Sequence, residues 1–409
     1  MSSKEKLLLF ILACINFTHI VDFMIMMPLG PQLMQIFNIS PRHFGFIVSA
    51  YGLSAGIAGF LAAFFVDNYD RKKVVLLAYI GFVIGTFACA FAPTHQFLIV
   101  ARIIAGTFGG LIGAQVMSIV ADTFDYERRA TAVGYITTAF SVASVVGIPS
   151  GLFLASKFGW HTPFLVVGCL GIVVIFLIIR FVPKLDNHLK NRETKPNPLD
   201  VITNILNNPN QLKALWLSAT IMLGHFSIIP YISPTLVANV GFSQQNIFLI
   251  YLVGGLLTIF TAPMVGKLAD KKGKYQVFVV FAFLSMIPIY LITNMFSGAV
   301  WAVLMVAGIF FVFSNGRLIP TQAIISNVVN PQQRGSFMAI NSSLQLLAQA
   351  LAANIGGFII HKTASGYIEN YAYVGYFAIS MIFISIFIAR LVNPIARPIV
   401  NKDITVDVS

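Results

Sequence analysis

Residues 66–73 read VDNYDRKK and residues 266–274 read GKLADKKGK. Each stretch closes one long apolar run and opens the next, and setting Asp67 against Asp270 gives an offset of 203 residues. Two further matches keep nearly that spacing. GGLIGAQ from Gly109 pairs with GRLIPTQ from Gly316 at 207, and Arg129 pairs with Arg334 at 205. Three agreements at almost one offset mark the chain as two related halves. What repeats is a series of apolar runs: 57% of the 409 residues are hydrophobic and 10% charged, far from the composition of a water-soluble domain.

Runs long enough to cross about 30 Å of hydrocarbon fall at 7–37, 44–66, 74–93, 96–121, 131–156 and 162–182, then at 212–238, 246–266, 275–296, 299–325, 337–361 and 371–392. Backbone polar groups in lipid must be satisfied within the segment, so these runs are helices. The expected fold is an all-α integral membrane protein with 12 transmembrane helices in two pseudo-symmetric six-helix bundles. The bundles occupy 1–183 and 212–393, joined by a polar linker at 184–211 and followed by a tail at 394–409. No connection has room for a folded enzyme domain. The first run is too long for a secretory signal and no small-residue cleavage site follows it, so it is expected to stay in the mature protein.

Orientation follows from the lysines and arginines. With the N-terminus in the cytoplasm, twenty-one of the 26 fall on that side and three, Arg42, Lys157 and Lys362, on the other. Arg102 and Arg317 lie inside spans. The positive-inside rule therefore puts both termini in the cytoplasm, and the net charge of +12 is accounted for by basic loops facing anionic lipid, without nucleic acid. The partners expected are the lipid bilayer and a small-molecule substrate. Cys14, Cys89 and Cys169 all fall in spans, which argues against structural disulfides.

The loop motifs and the two six-helix halves resemble the major facilitator superfamily, over nearly the whole chain. The family's loop motif G-x-L-A-D-x-x-G-[RK] is matched in full at Gly266, Leu268, Ala269, Asp270, Gly273 and Lys274. The first copy has Ala63 and Asp70 where glycines are usual, but keeps Asp67 and Arg71. The resemblance implies a cytoplasmic gate in which Asp67, Arg71, Arg128, Arg129, Gly266, Asp270, Gly273 and Arg334 hold the halves together in one access state. A carboxylate at a helix start is favoured by the helix dipole and by charge-assisted hydrogen bonds, although a solvated turn that fixes orientation would read the same way. RIIAG at 102–106 is similar to the family's buried-arginine motif. GIPSG at 147–151 is similar to the glycine-proline motif of the drug and sugar efflux members that exchange protons, with Pro149 one place late and Ala143 where a glycine is usual. Gly147 and Gly151 leave one helix face bare for close packing, and Pro149 softens the backbone. The resemblance further implies a monomer that uses the proton gradient rather than a cofactor or a metal.

Ionisable groups inside spans are functional candidates because each costs roughly 3 kcal/mol or more when unpaired. Asp22 is the one acid of 14 deep in a span, and His19 shares its helix face. Burial opposes the Asp22 charge and Arg102 supports it, so a substrate that shifts the balance can be exchanged for a proton; a structural ion pair with Arg102 is the competing reading. The repeat offset carries Asp22 onto His225. Proton coupling is therefore expected to involve Asp22, His19, Arg102 and His225, against the alternative that the histidines are packing residues. Arg317 either meets an anionic group on the substrate or bonds helix carbonyls. Asn341, Gln345 and Gln349 recur every four residues, a stripe suited to a cavity wall or to bonding between helices.

These residues point to a secondary transporter exporting a small organic compound by proton antiport. Uptake of a metabolite or organic anion by a symporter or facilitator is the second reading. An intramembrane enzyme is disfavoured because neither H-E-x-x-H nor G-x-S-x-G occurs, and the short tails offer a sensor or scaffold no interaction domain.

Overall fold

The first helix begins on a reciprocal cap. The Glu5 amide donates to the Ser2 hydroxyl at 3.2 Å, and the Ser2 amide donates to the Glu5 carboxylate at 2.7 Å, satisfying two of the amides that a helix start leaves open. From there α1 runs over Ser3–Ile25. The apolar run expected to continue to 37 breaks at this point, turns, and resumes as α2, Gly30–Ile36. Pro28 lies within the break and Pro31 in the first turn of α2, and neither can donate the backbone bond that a continuous helix needs. The computed structural model describes residues 2–62, 64–124, 126–186, 198–295, 298–330 and 334–393.

The remaining helices of the first half are α3 (Pro41–Ala62), α4 (Arg71–Ala90), α5 (His95–Thr123), α6 (Tyr126–Val142), α7 (Ile148–Phe158) and α8 (Thr162–Phe181). A π-helical turn over Ala143–Gly147 joins α6 to α7 within one span. The second half contains α9 (Pro198–Leu206), α10 (Pro209–Asn239), α11 (Ile247–Lys272), α12 (Lys274–Thr293), α13 (Val300–Ser326), α14 (Arg334–Ile359) and α15 (Tyr371–Leu391). Short strands β1 (His361–Lys362) and β2 (Ile368–Glu369) pair antiparallel between α14 and α15. Among the described residues, eleven helical segments are long and apolar enough to span a membrane. The segment expected at 337–361 is α14, which is 26 residues long but lowered in hydropathy by its own polar residues. The expected linker is not wholly irregular, since α9 lies in it. Residues 187–197 and the tail 394–409 fall outside the described residues.

Helix pairing falls into two groups. In the first, α3 and α4 pack on α5, α4 on α8, and α1 on α6 and α8; in the second, α10 packs on α14 and α15, α12 on α13 and α15, and α11 on α13. Two seams join the groups: α3 against α14, and α7 with the π turn against α11. Along the first seam, Gly45, Gly52 and Gly56 of α3 sit against Ala353, Ala350 and Leu347 of α14. A Cβ on Gly56 would come within 2.8 Å of the Leu347 side chain, so these backbones approach as closely as only glycine permits.

The near face is taken as the end where α1 begins. Buried apolar residues of the first half near that face form their own core, from Leu8 and Tyr79 to Val182. At the far face, Leu33, Phe44, Leu98, Leu152 and Phe164 instead join the core of the second half. The halves thus share packing at the far end. Tyr231 of α10 sits at that end, its hydroxyl donating to the Ala353 carbonyl within the second half at 2.6 Å and standing 3.5 Å from the Pro41 carbonyl of the first. Between the seams lies a small cavity lined by Phe23, Met27, Val48, Gly52, Phe226, Gln349 and Ala350.

Candidate functional site

Asp22 and Arg102 meet in the interior of the first half, both at 0% exposure. Arg102 Nη1 donates to Asp22 Oδ2 at 2.8 Å and to the Asp22 backbone carbonyl at 3.2 Å. Thr86 of α4 donates its hydroxyl to Asp22 Oδ1 at 3.1 Å. The guanidinium also lies 4.3 Å from the centre of the Tyr51 ring on α3, a cation–π geometry. Four helices therefore contribute to one ion pair, and Asp22 faces the bundle interior rather than lipid. His19, one turn earlier on α1, packs its ring against Tyr51 and Phe82 and lies within electrostatic reach of Arg102. Its Nε2 and the Tyr51 hydroxyl are buried without a hydrogen-bond partner. Gly109 makes room for both, since a Cβ there would collide with the Tyr51 hydroxyl and stand 3.1 Å from His19 Nε2.

His225 does not join this group. It lies on α10 in the second half, with its ring stacked on Phe310 of α13 at 5.9 Å and edge-on to Phe226 at 5.4 Å. Arg317, also on α13, is within electrostatic reach of His225. The described hydrogen bond of its guanidinium is a long one from Nη1 to the Ser285 hydroxyl, 3.4 Å, while Nε and Nη2 have no hydrogen-bond partner.

The stripe on α14 turns toward α10. Gln345 donates to the Ser218 hydroxyl at 2.9 Å and Gln349 to the Met222 sulfur at 3.6 Å. Gln349 also lines the central cavity, with its Oε1 buried and unpartnered. Asn341 is 1% exposed with neither side-chain polar atom bonded.

At the near face, Asp70 rather than Asp67 caps α4, accepting from the Lys72 amide at 2.8 Å and from the Leu185 amide at 3.1 Å. Asp-Arg-Lys-Lys before an apolar run is a helix-start signal that the comparison with the loop motif obscured. Arg71 pairs with Asp122 of α5 at 3.0 Å and Arg128 with Glu5 of α1 at 3.2 Å. Both pairs close within the first half, so they do not themselves hold the halves together. The side chains of Asp67 and Arg129 lie outside the described residues. Asp270 and Arg334 are exposed, and Gly273 turns the chain at φ 98° between α11 and α12.

The glycine-proline motif lies against α1. A Cβ on Gly147 would strike Val21, and one on Gly151 would stand 2.9 Å from the Ile25 side chain. Pro149 follows the π turn at the start of α7, whose register change accommodates its missing amide. The same turn meets α11, where Gly255 approaches the Ser144 carbonyl. The span therefore changes helical register where the halves touch.

Two groups of packed apolar helices joined along glycine-lined seams, each with a buried arginine, make this a membrane protein built of two halves. The sequence profile of the Major Facilitator Superfamily matches residues 12–353. The chain belongs to that superfamily, whose members are transporters rather than enzymes. It is 24% identical over 344 residues to the uncharacterized MFS-type transporter YceJ of Bacillus subtilis, covering 84% of this chain and 86% of that one. It is 23% identical over 364 residues to multidrug resistance protein 2 of the same organism, covering 87% and 90%. Its fold matches the crystal structure of a D-xylose-proton symporter with a TM-score of 0.78 at 15% identity, covering 96% of this chain and 99% of that one.

Proposed function

We propose that this transporter exports a small organic compound in exchange for protons, by rocking the bundles 1–183 and 212–393 about the central cavity. In this reading α14 completes a set of twelve spans. The near face, with both termini, is cytoplasmic, and the conformation described is closed toward the outside of a cell or inner membrane. The observation that carries the proposal is the Asp22–Arg102 pair, a lone deep carboxylate locked to a cation within a transporter bundle. Protonation of Asp22 would release Arg102, a local charge change able to bias a two-state helix arrangement. Similarity to a multidrug resistance protein and the glycine-proline motif on α7 support the outward direction. One inward proton at 100 mV supplies about 2.3 kcal/mol, enough for a gradient of several tens-fold in a neutral compound at about 1.4 kcal/mol per decade, and the same potential adds to the outward drive on an anion.

The test is a set of inverted membrane vesicles with an acidified lumen. Adding a transported compound should discharge the pH gradient in vesicles carrying the protein, and not in those carrying Asp22→Asn. A gradient that collapses equally with Asp22→Asn sinks the coupling assignment. Uptake by symport is the second reading, favoured by Arg317, which has no ion-pair partner among the described residues, if the physiological flux is inward; cells lacking the protein would then resist the compound instead of becoming sensitive to it.

A further inference from the structure

The two halves share a fold but not a charge balance. In the first, the buried cation Arg102 has Asp22 at 2.8 Å. In the second, Arg317 is 1% exposed and its Nε and Nη2 have no hydrogen-bond partner. Among the described residues no acid is paired with Arg317. From α9 onward the acids are Asp200, in α9 itself, Asp270, Glu369, Asp403 and Asp407. Asp270 is at the near end of α11, Glu369 is in the far-face hairpin, and the other two are in the tail. A guanidinium cannot shed its charge as a lysine can, so a buried arginine without an acid is held at a cost that packing alone does not explain.

The surroundings of Arg317 have a definite chemistry. Phe310, Ser314, Arg317 and Thr321 fall at i, i+4, i+7 and i+11 of α13, one helix face, and all four are buried. The Ser314 hydroxyl is unpartnered, and so is Nδ1 of His225, which stacks on Phe310. Phe226, edge-on to His225, lines the central cavity. His225 thus lies one residue behind the cavity wall against Phe310, and Ser314 and Arg317 follow about one and two turns along the same face of α13, with Arg317 Nη1 3.4 Å from the Ser285 hydroxyl. Arg317 lies nine residues from the Ser326 end of α13, about 13 Å at 1.5 Å per residue, which is too deep for a lipid headgroup. Pro320 interrupts α13 one turn from Arg317, and Pro230 and Pro234 lie in α10, so both helices that flank the strip can bend during alternating access.

The geometry points to Arg317, assisted by Ser314 and His225, as the site that takes the anionic group of the transported compound, an organic acid with an apolar or aromatic body. This rests on the transport reading above but not on its direction or on proton coupling. A guanidinium fork suits a carboxylate or phosphonate, bound by two parallel N–H donors. In the absence of such a group the buried charge destabilises the bundle.

The test uses the full chain, purified in detergent and followed by thermal unfolding through labelling of its cysteines. Benzoate is compared with its neutral isostere benzamide, and the wild type with Arg317→Met and Arg317→Lys. Two results are expected together. Arg317→Met without additive melts above the wild type, because it removes an uncompensated charge. Benzoate raises the wild-type midpoint with an apparent affinity at least tenfold better than benzamide, a preference lost in Arg317→Met and partly kept in Arg317→Lys. The proposal is overturned if Arg317→Met melts at or below the wild type, or if benzoate and benzamide act alike on the wild type. Because no pH gradient is used, vesicles that show no proton exchange would remove the antiport reading and leave this one standing.

Discussion

Replacing Asp22 and Arg102 singly and together separates an ion pair from two residues that happen to touch. Asp22→Asn leaves Arg102 buried at 0% exposure with its Nε already unpartnered. Arg102→Gln leaves a buried carboxylate with the Thr86 hydroxyl as its remaining side-chain donor. Removing one member of a buried pair costs about 3–5 kcal/mol, chiefly from stranding the other charge. The double variant strands none, and its amides can still bond, so it should lie within about 2 kcal/mol of the wild type. The coupling energy of the cycle should therefore be about 3 kcal/mol or more, at least a hundredfold in the unfolding equilibrium at about 1.4 kcal/mol per decade. Cys89 is fully buried, so with Cys14 and Cys169 replaced by serine its rate of thiol labelling in graded denaturing detergent reports the opening of this half. Single variants that cost less than about 1 kcal/mol, or effects that simply add, would refute the pairing argument. The same preparations test coupling, because the double variant should fold yet release no protons when a transported compound is added.

Further outcomes follow from the seams and caps. Gly45→Val forces side-chain carbons into the Tyr231 hydroxyl and the Ala353 carbonyl; a cysteine replacing Val48 should then be labelled by a membrane-impermeant maleimide at least tenfold faster than in the Gly45 parent. Tyr231→Phe removes the 3.5 Å bond that crosses the halves to the Pro41 carbonyl, together with the 2.6 Å bond to Ala353 inside the second half; the crossing bond is worth about 1 kcal/mol at most, so the same labelling should rise no more than about fivefold. Asp70→Ala loses the cap of α4 and the bond to the Leu185 amide, so the protein should be less stable by about 1–2 kcal/mol in a denaturing-detergent titration. Reporter fusions at either end should be active only in the cytoplasm; activity of either fusion outside would reverse the orientation drawn from the lysines and arginines.

What the sequence disclosed and what it hid divide along the range of the forces involved. Helix existence was legible because hydrocarbon thickness imposes a length on each apolar run, and the repeat was legible because both halves solve the same packing problem. The break after Ile25 was also written in Pro28, Gly30 and Pro31, but the apolar content around them masked it. The seam has a signal in the sequence: Gly45, Gly52 and Gly56 recur at near-helical spacing on α3, a bare face of the kind that marks close helix packing. The ion-pair partners of Arg71 and Arg128 had no such signal. Asp122 and Glu5 lie 51 and 123 residues away, and nothing local in the chain predicts contacts at that range. The offset that aligned Asp22 with His225 placed two residues on corresponding helices and was silent about their partners. Only their surroundings separate a carboxylate bonded to Arg102 from an imidazole stacked on Phe310. Duplicated architecture fixes where polar groups can sit, and the unduplicated charges then give the halves different tasks. The first half contains both members of its ion pair, and the proposed proton step is assigned to that pair. The second contains a buried arginine that no acid among the described residues pairs with, and its balancing charge is proposed to come from the transported compound.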